Sequence, residues 1–189
     1  MRERRVLLTP QRTDARRNRE MILRAADEAF AEGADSVQIE EIARRAGLGR
    51  ATVYRHFSDR HALATTVAAH RIEALERLVS TAERERRPFR DLLHFVLSDQ
   101  VVRRPLVHLI RQLPEQEQRR FADALIAALT PAFRRAQAAA EVRADLEPAD
   151  LMLVLEMIEG ALASKLLRSG DDAVRKLLSV TLDGLCPRR

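Results

Sequence analysis

Residues 46–57 read AGLGRATVYRHF, and the order of glycines, apolar residues and arginines in this stretch decides the fold. Ahead of it, Ile39, Ile42, Ala43 and Ala46 recur at helical spacing, which predicts a short amphipathic helix. Gly47 can adopt a left-handed backbone at little steric cost, so it ends that helix and turns the chain. Leu48 fills the angle, and Gly49 serves as the N-cap of a second helix, without the side-chain acceptor that serine would offer. In that helix Val53 and Phe57 lie four residues apart and point together toward a core with Ile42 and Ala43. Arg50, Ala51, Tyr54 and Arg55 are left on the outward stripe, with Thr52 and His56 at its flank.

A stripe of one small residue, one aromatic and two arginines suits a DNA groove. Arginine can donate two hydrogen bonds to guanine O6 and N7, Ala51 leaves room for a thymine methyl, and Tyr54 can stack or bond phosphate. Two short helices joined by a glycine turn, the second exposed and basic, form a helix-turn-helix. The plainer alternative is a helical hairpin whose charges are merely solvated.

The surrounding sequence strengthens the DNA reading. From Arg19 to about Leu63, the run ILRAADEAFAEGADSVQIEEIARRAGLGRATVYRHFSDRHAL resembles the N-terminal domain of TetR-family transcriptional regulators. It has an Ile/Leu-Ala-Ala helix with a late Phe and Gly, then IA..AG, then a T-hydrophobic-Y-x-H-F helix, then Ser and a basic residue ahead of Leu. The resemblance implies base or backbone contacts from Arg50, Ala51, Tyr54, Arg55 and His56, and phosphate contacts from Thr52 and Arg60. Three features depart from the family pattern: Gly49 replaces a common serine cap, Gln38 and Ile39 replace the threonine that often begins the second helix, and Glu40 and Glu41 follow.

The net charge of the 189-residue chain is +5, and nearly all of its positive charge is arginine. This favours an anionic partner. Arg12, Arg16, Arg17 and Arg19 crowd one short segment. Residues 1–14 are expected to be a flexible basic arm, with Arg16 and Arg17 near enough to DNA to reach a minor groove. A simply disordered terminus accounts for the segment equally well. Cys186 is the only cysteine, which excludes an intrachain disulfide or a thiolate metal cluster and is expected to be a surface thiol. No apolar run is long enough to cross a bilayer and no secretory h-region opens the chain, so the cytoplasm is the default.

Periodicity predicts an all-α chain. The helix-turn-helix domain is assigned to residues 15–62 and a helical regulatory and dimerisation domain to 63–189. A long helix starts after Ser58 or Asp59 and ends in the charged segment Glu83 to Pro88. Further helices are expected over Phe89–Val102, Pro105–Leu113, Glu115–Ala140, Pro148–Ser169 and Asp171–Leu185, separated by Pro105, Pro114, Pro148 and Gly170.

The family resemblance implies that this second block binds a small-molecule effector and pairs with a second copy. Asp150–Leu167 is apolar on more than one face, and together with Val174–Leu185 it would form an intersubunit four-helix bundle. A monomer with a covered core is the alternative. Phe89, Phe95, Phe121, Phe133, Met152 and Met157 are of the type that lines a cavity, and His94 or His108 of the type that orients a ligand, with Phe95, His108, Phe121, Met152 and Met157 the candidate pocket set; side chains of this kind at helical spacing are more often plain core.

Together these features point to a homodimeric repressor that binds a near-palindromic double-stranded operator and is released by an effector. An architectural or nonspecific DNA-binding protein is the alternative. Catalysis is not expected, because no nucleophile–base pair, phosphate loop or metal constellation is evident. Neither a metal nor a cofactor is implied: His56, His61 and His70 lack metal-ligand spacing.

Overall fold

A computed structural model describes residues 10–32, 37–164 and 171–186. Its described elements are α1 (Pro10–Ala31), α2 (Ile39–Arg45), α3 (Arg50–His56), α4 (Arg60–Arg84), α5 (Phe89–Val102), α6 (Arg104–Arg111), α7 (Glu115–Ala138), α8 (Asp150–Ala163) and α9 (Asp171–Leu185). Among the described residues there is no strand, so the chain is all-α.

The glycine turn forms as its chemistry dictates. Gly47 has φ +64°. Its N–H donates to the Arg44 carbonyl at 3.1 Å, and that of Leu48 reaches back to Ala43 at 2.9 Å. This is the Schellman pair that satisfies the last carbonyls of a helix. Gly49 then caps α3 in extended geometry without a side-chain hydrogen bond. The next helix is capped more strongly: the Asp59 carboxylate accepts from the Ala62 amide at 2.8 Å. The same left-handed device ends α4 at Arg86, φ 52°, and α7 at Ala140, φ 56°.

Two hydrophobic cores share helices. The first buries Ile22, Ala26 and Phe30 of α1, Ile42 of α2, Val53 of α3, Phe57, and Leu63, Ala64 and Val67 of α4. Leu106 and Leu109 of α6 close it. The second core collects Leu75 and Val79 of α4 with α5, α7, α8 and α9, and its centre includes Phe89 edge-on to Phe133 at 5.7 Å. The step between the cores therefore falls inside α4. The division expected at residues 62 and 63 cuts a continuous helix, and α6 contributes to the N-terminal core from far along the chain.

Two expectations need correction. The segment assigned to a flexible arm over residues 1–14 is already helical from Pro10, because α1 extends N-terminally beyond its apolar stripe; residues 1–9 lie outside the described residues. Cys186 is buried in the second core, not at the surface, because α9 carries the chain end back beneath α5. Burial pushes its thiol pKa up, so this cysteine is poorly disposed to ionise. For the helix expected over Pro148–Ser169, the described part runs from Asp150 to Ala163, and residues 165–170 lie outside the described set.

Candidate functional site

The helix turn places α3 so that one side is anchored and the other is free. Val53 and Phe57 are buried, whereas Arg50, Ala51 and Arg55 are exposed and Tyr54 is 42% exposed. Thr52 and His56 are half-buried at the edge of this face, as is Arg60 in the first turn of α4. The residues singled out on the short helix thus share one surface. An exposed tyrosine between arginines costs apolar surface in water and gains a stacking platform beside a nucleic acid.

The arginines of this face are held in defined positions. The Arg50 guanidinium lies 5.7 Å from the Tyr54 ring centroid, and its Nε is 2.8 Å from Glu40 of α2. Arg55 donates from Nη2 to the Thr52 hydroxyl at 3.0 Å. These contacts are exposed and weak, so phosphate or a base edge can replace them at little cost. Of the basic residues ahead of the helix-turn-helix, Arg16 pairs with Glu20 at 2.9 Å and Arg17 is exposed. Arg19 instead stacks over the Phe57 ring at 4.6 Å, fixing α1 against the end of α3.

Behind this surface, Arg45 of α2 joins Glu32 at 2.5 Å to Glu41 at 2.7 Å. Arg44 also donates to Glu41, at 2.7 Å. Hydrogen bonds from Arg44 and Arg45 hold the Glu41 pKa down at about 2. Glu32 is likewise lowered, by its bond to Arg45. The two glutamates ahead of the turn therefore have structural partners: Glu41 holds Arg45, which in turn ties α2 to Glu32 at the end of α1, and Glu40 orients Arg50. This role is not evident from their position in the sequence.

A second feature adjoins the first core. Helices α4, α5, α6, α7 and α8 line a partly open cavity of about 620 Å³, largely apolar, with walls that include Ile72, Leu75, Leu78, Leu125 and Leu155. Of the candidate pocket residues, Phe95, Phe121 and Met152 line it. His108 and Met157 do not. His108 is exposed and engages Gln112 at 2.8 Å, because its position on α6 faces away from the cavity. Met157 is 66% exposed on the outer face of α8. Conversely, Arg71, Asp99, Gln100 and Arg103 line the cavity and are absent from the sequence-derived set. One signal for them exists: Arg71 sits four residues after Val67 and four before Leu75, on the buried stripe of α4 itself.

Leu106 belongs to the first core and also lines the cavity. Helix α6 therefore joins the N-terminal core, against α1 and α4, on one side and faces the cavity on the other. Its C-cap Gln112 contacts His61 of α4 at 3.1 Å, one residue beyond Arg60. Among the described residues, no cluster of three His, Cys, Asp or Glu side chains could hold a metal, and no helix is long and apolar enough to cross a membrane.

Comparison with known proteins agrees with this geometry. Residues 22–67 match the model of the bacterial regulatory proteins of the tetR family. A TetR transcription regulatory protein from Mycobacterium vanbaalenii is 30% identical, with 94% of this chain and 99% of that chain covered, at a TM-score of 0.62. A TetR transcriptional regulator from Streptomyces coelicolor is 27% identical over 90% of this chain and 99% of that one, with a TM-score of 0.64. No curated protein sequence matches the chain. The glycine turn, the exposed basic helix behind it and the likeness along nearly the whole chain agree, and the chain belongs to the TetR family of DNA-binding transcriptional regulators.

Proposed function

We propose that the protein is a homodimeric repressor that binds a near-palindromic operator and releases it when a small molecule fills the cavity. The observation that carries this reading is the position of α6, whose Leu106 packs in the helix-turn-helix core and also faces the cavity. A ligand that favours a different α6 position would shift the dimer toward a state with displaced recognition helices. Coupling of about 1 to 3 kcal/mol, usual for such linkage, gives a several-fold to hundred-fold change in DNA affinity.

In this reading Arg50, Ala51, Tyr54, Arg55 and His56 meet base edges and backbone, while Thr52 and Arg60 hold phosphate. Arg16 and Arg17 lie on α1 where they can approach the adjacent backbone or minor groove. Dimerisation is supported by apolar side chains left in water by a single chain: Leu153 is 63% and Met157 66% exposed on α8, and Val180 is 64% exposed on α9. Pairing these faces around a two-fold axis would bury them and set the two α3 helices toward successive major grooves, about 34 to 36 Å apart.

Run-off transcription from a promoter carrying the preferred duplex tests the direction of control. A repressor lowers the transcript, and a ligand that raises the protein's melting temperature restores it. A rise in transcript on adding protein would make it an activator.

A further inference from the structure

The cavity meets the DNA-binding half of the molecule at four charges. Arg71 of α4 donates from Nη2 to Asp99 of α5 at 2.5 Å, and Arg103 donates from Nε to the same carboxylate oxygen at 3.0 Å. Behind them stands Asp27 of α1. Its backbone carbonyl accepts from Arg103 at 2.8 Å, and its carboxylate lies 3.4 Å from Arg103 and 3.9 Å from Arg71. Arg71, Asp99 and Arg103 line the cavity, but Asp27 does not. A ligand in the cavity therefore faces two guanidinium groups and one carboxylate.

The other charges around the cavity are self-matched: Arg111 pairs with Glu156, and Arg119 with Glu115. Where the cavity abuts α1, two guanidinium groups face it with Asp99 alone between them, because the second carboxylate, Asp27, lies behind. There, Arg71 Nε and Asp27 Oδ1 are buried without a hydrogen-bond partner in the protein, the mark of an ionic cluster whose pairing is incomplete. A cationic ligand would meet repulsion in a poorly solvated site. A neutral apolar ligand would fill the walls and leave the arginines as they are. A carboxylate can accept from both planar guanidinium groups while its tail lies against Ile72, Phe95 and Leu125.

We propose that the cavity takes an amphipathic carboxylate, an apolar body with one anionic head seated on Arg71 and Arg103. The proposal rests on reading the cavity as the effector site. Its consequence is an exchange of partners: the ligand's head competes with Asp27 for the two arginines and loosens the tie that holds α1. Because α1 is the first helix of the DNA-binding core, this exchange connects ligand chemistry to the recognition helix.

The test uses the full-length protein and the neutral fluorophore N-phenyl-1-naphthylamine as a cavity probe. Decanoate, 1-decanol and decyltrimethylammonium, which share one tail, compete for it below their aggregation limits. Decanoate is expected to displace the probe at a concentration about tenfold or more below that of decanol, as charge-assisted bonds to arginine require. The ammonium compound should be the weakest. Arg71→Gln removes the preference for decanoate while leaving the affinity for decanol in place. Asp27→Asn, which weakens the internal competitor, tightens decanoate binding several-fold.

Equal displacement by decanoate and decanol in the wild-type protein, with probe uptake still blocked by Ala122→Trp, would overturn the carboxylate proposal and leave the cavity reading standing. Absence of probe uptake, or uptake unaffected by Ala122→Trp, would overturn the cavity reading and the proposal with it. The head-group comparison is run on the wild-type chain and does not depend on the variants folding; Ala122→Trp serves only to place the probe and is used with a far-ultraviolet circular dichroism spectrum that matches the wild type.

Discussion

Glu40 in α2 and Arg50 at the start of α3 form an ion pair of 2.8 Å across the glycine turn. The pair fixes the guanidinium near Tyr54 and also sets a carboxylate beside the surface proposed to meet DNA. Its partners are about half exposed or more, so it contributes little stability. Glu40→Gln should therefore leave the melting temperature nearly unchanged and strengthen DNA binding by about threefold to tenfold at low salt, with the gain shrinking as salt screens it. Fluorescence anisotropy with a labelled duplex at two salt concentrations reads both effects. Weaker binding would mean that orienting Arg50 matters more than removing the charge.

Base readers and phosphate holders should separate in their specificity. Arg55→Ala or Tyr54→Ala should cost about 1 to 3 kcal/mol on the preferred sequence and flatten its advantage over a scrambled one. Arg60→Ala should weaken both sequences alike and reduce the salt slope by about one unit. Salt-titrated binding isotherms on the two duplexes distinguish these results. Uniform behaviour across the three variants would remove the assigned division of labour.

At the turn, Gly47 and Gly49 should respond differently. Gly47 lies at φ +64° with open space where a Cβ would go, so Gly47→Ala costs backbone strain alone, about 1 kcal/mol. Gly49 has ordinary φ, and an added Cβ would meet only Thr52 Oγ1 at 4.0 Å. Gly49→Ser should stabilise the protein by a few tenths of a kcal/mol, because it supplies the missing side-chain cap. Urea melts of both variants give the two signs directly.

Acid should loosen the ion pairs of Glu41 with Arg44 and Arg45 within α2. Glu41 is held at about 2 against an ordinary 4.5. Its pKa is lowered in the folded state, so its contribution is complete above the ordinary value and is lost as the pH falls through that window toward 2. Because these groups remain in contact with solvent at the surface, the effect is small and salt-sensitive. Melting temperatures of wild type and Glu41→Gln, taken at about pH 6 and about pH 3, should lie further apart at the higher pH. A gap that widens on acidification would contradict the assignment.

The exposed face of α8 and α9 yields a test of assembly. Leu153→Glu with Met157→Lys places charge on side chains that are already in water in a single chain, so folding should survive while a dimer built on this face dissociates. Sedimentation velocity should show the mass of one chain, and far-ultraviolet circular dichroism should be unchanged. An intact dimer would move the interface elsewhere.

Much of the helix-turn-helix could be read in advance because each step there is local. Gly47 must turn, Val53 and Phe57 must point together, and Tyr54 with Arg55 must then point away. The ends of α5 and α9 were legible for similar reasons: Pro88 starts one and the apolar stripe sustains the other. The cavity was less legible because it depends on how α4 through α8 cross, which no single-helix period encodes. Met157 shares its residue type with Met152, which lines the cavity, and His108 follows Val107, which also lines it, so both differ from lining residues only in rotation about their helices. Arg71 carried a readable sign, a charge on a buried stripe, but its partners Asp27 and Asp99 come from other helices. Cys186 is buried because α9 returns the chain end to α5, a long-range event.

The most direct test of the account is selection of bound duplexes from a random pool at about 0.15 M salt, where nonspecific phosphate binding is much reduced. A near-palindrome whose half-sites lie about one helical turn or a multiple apart should be enriched. Its preference should be lost in the Arg55→Ala and Tyr54→Ala proteins. No enrichment, with binding that simply vanishes as salt rises, would contradict it and make the exposed face of α3 a generic basic surface.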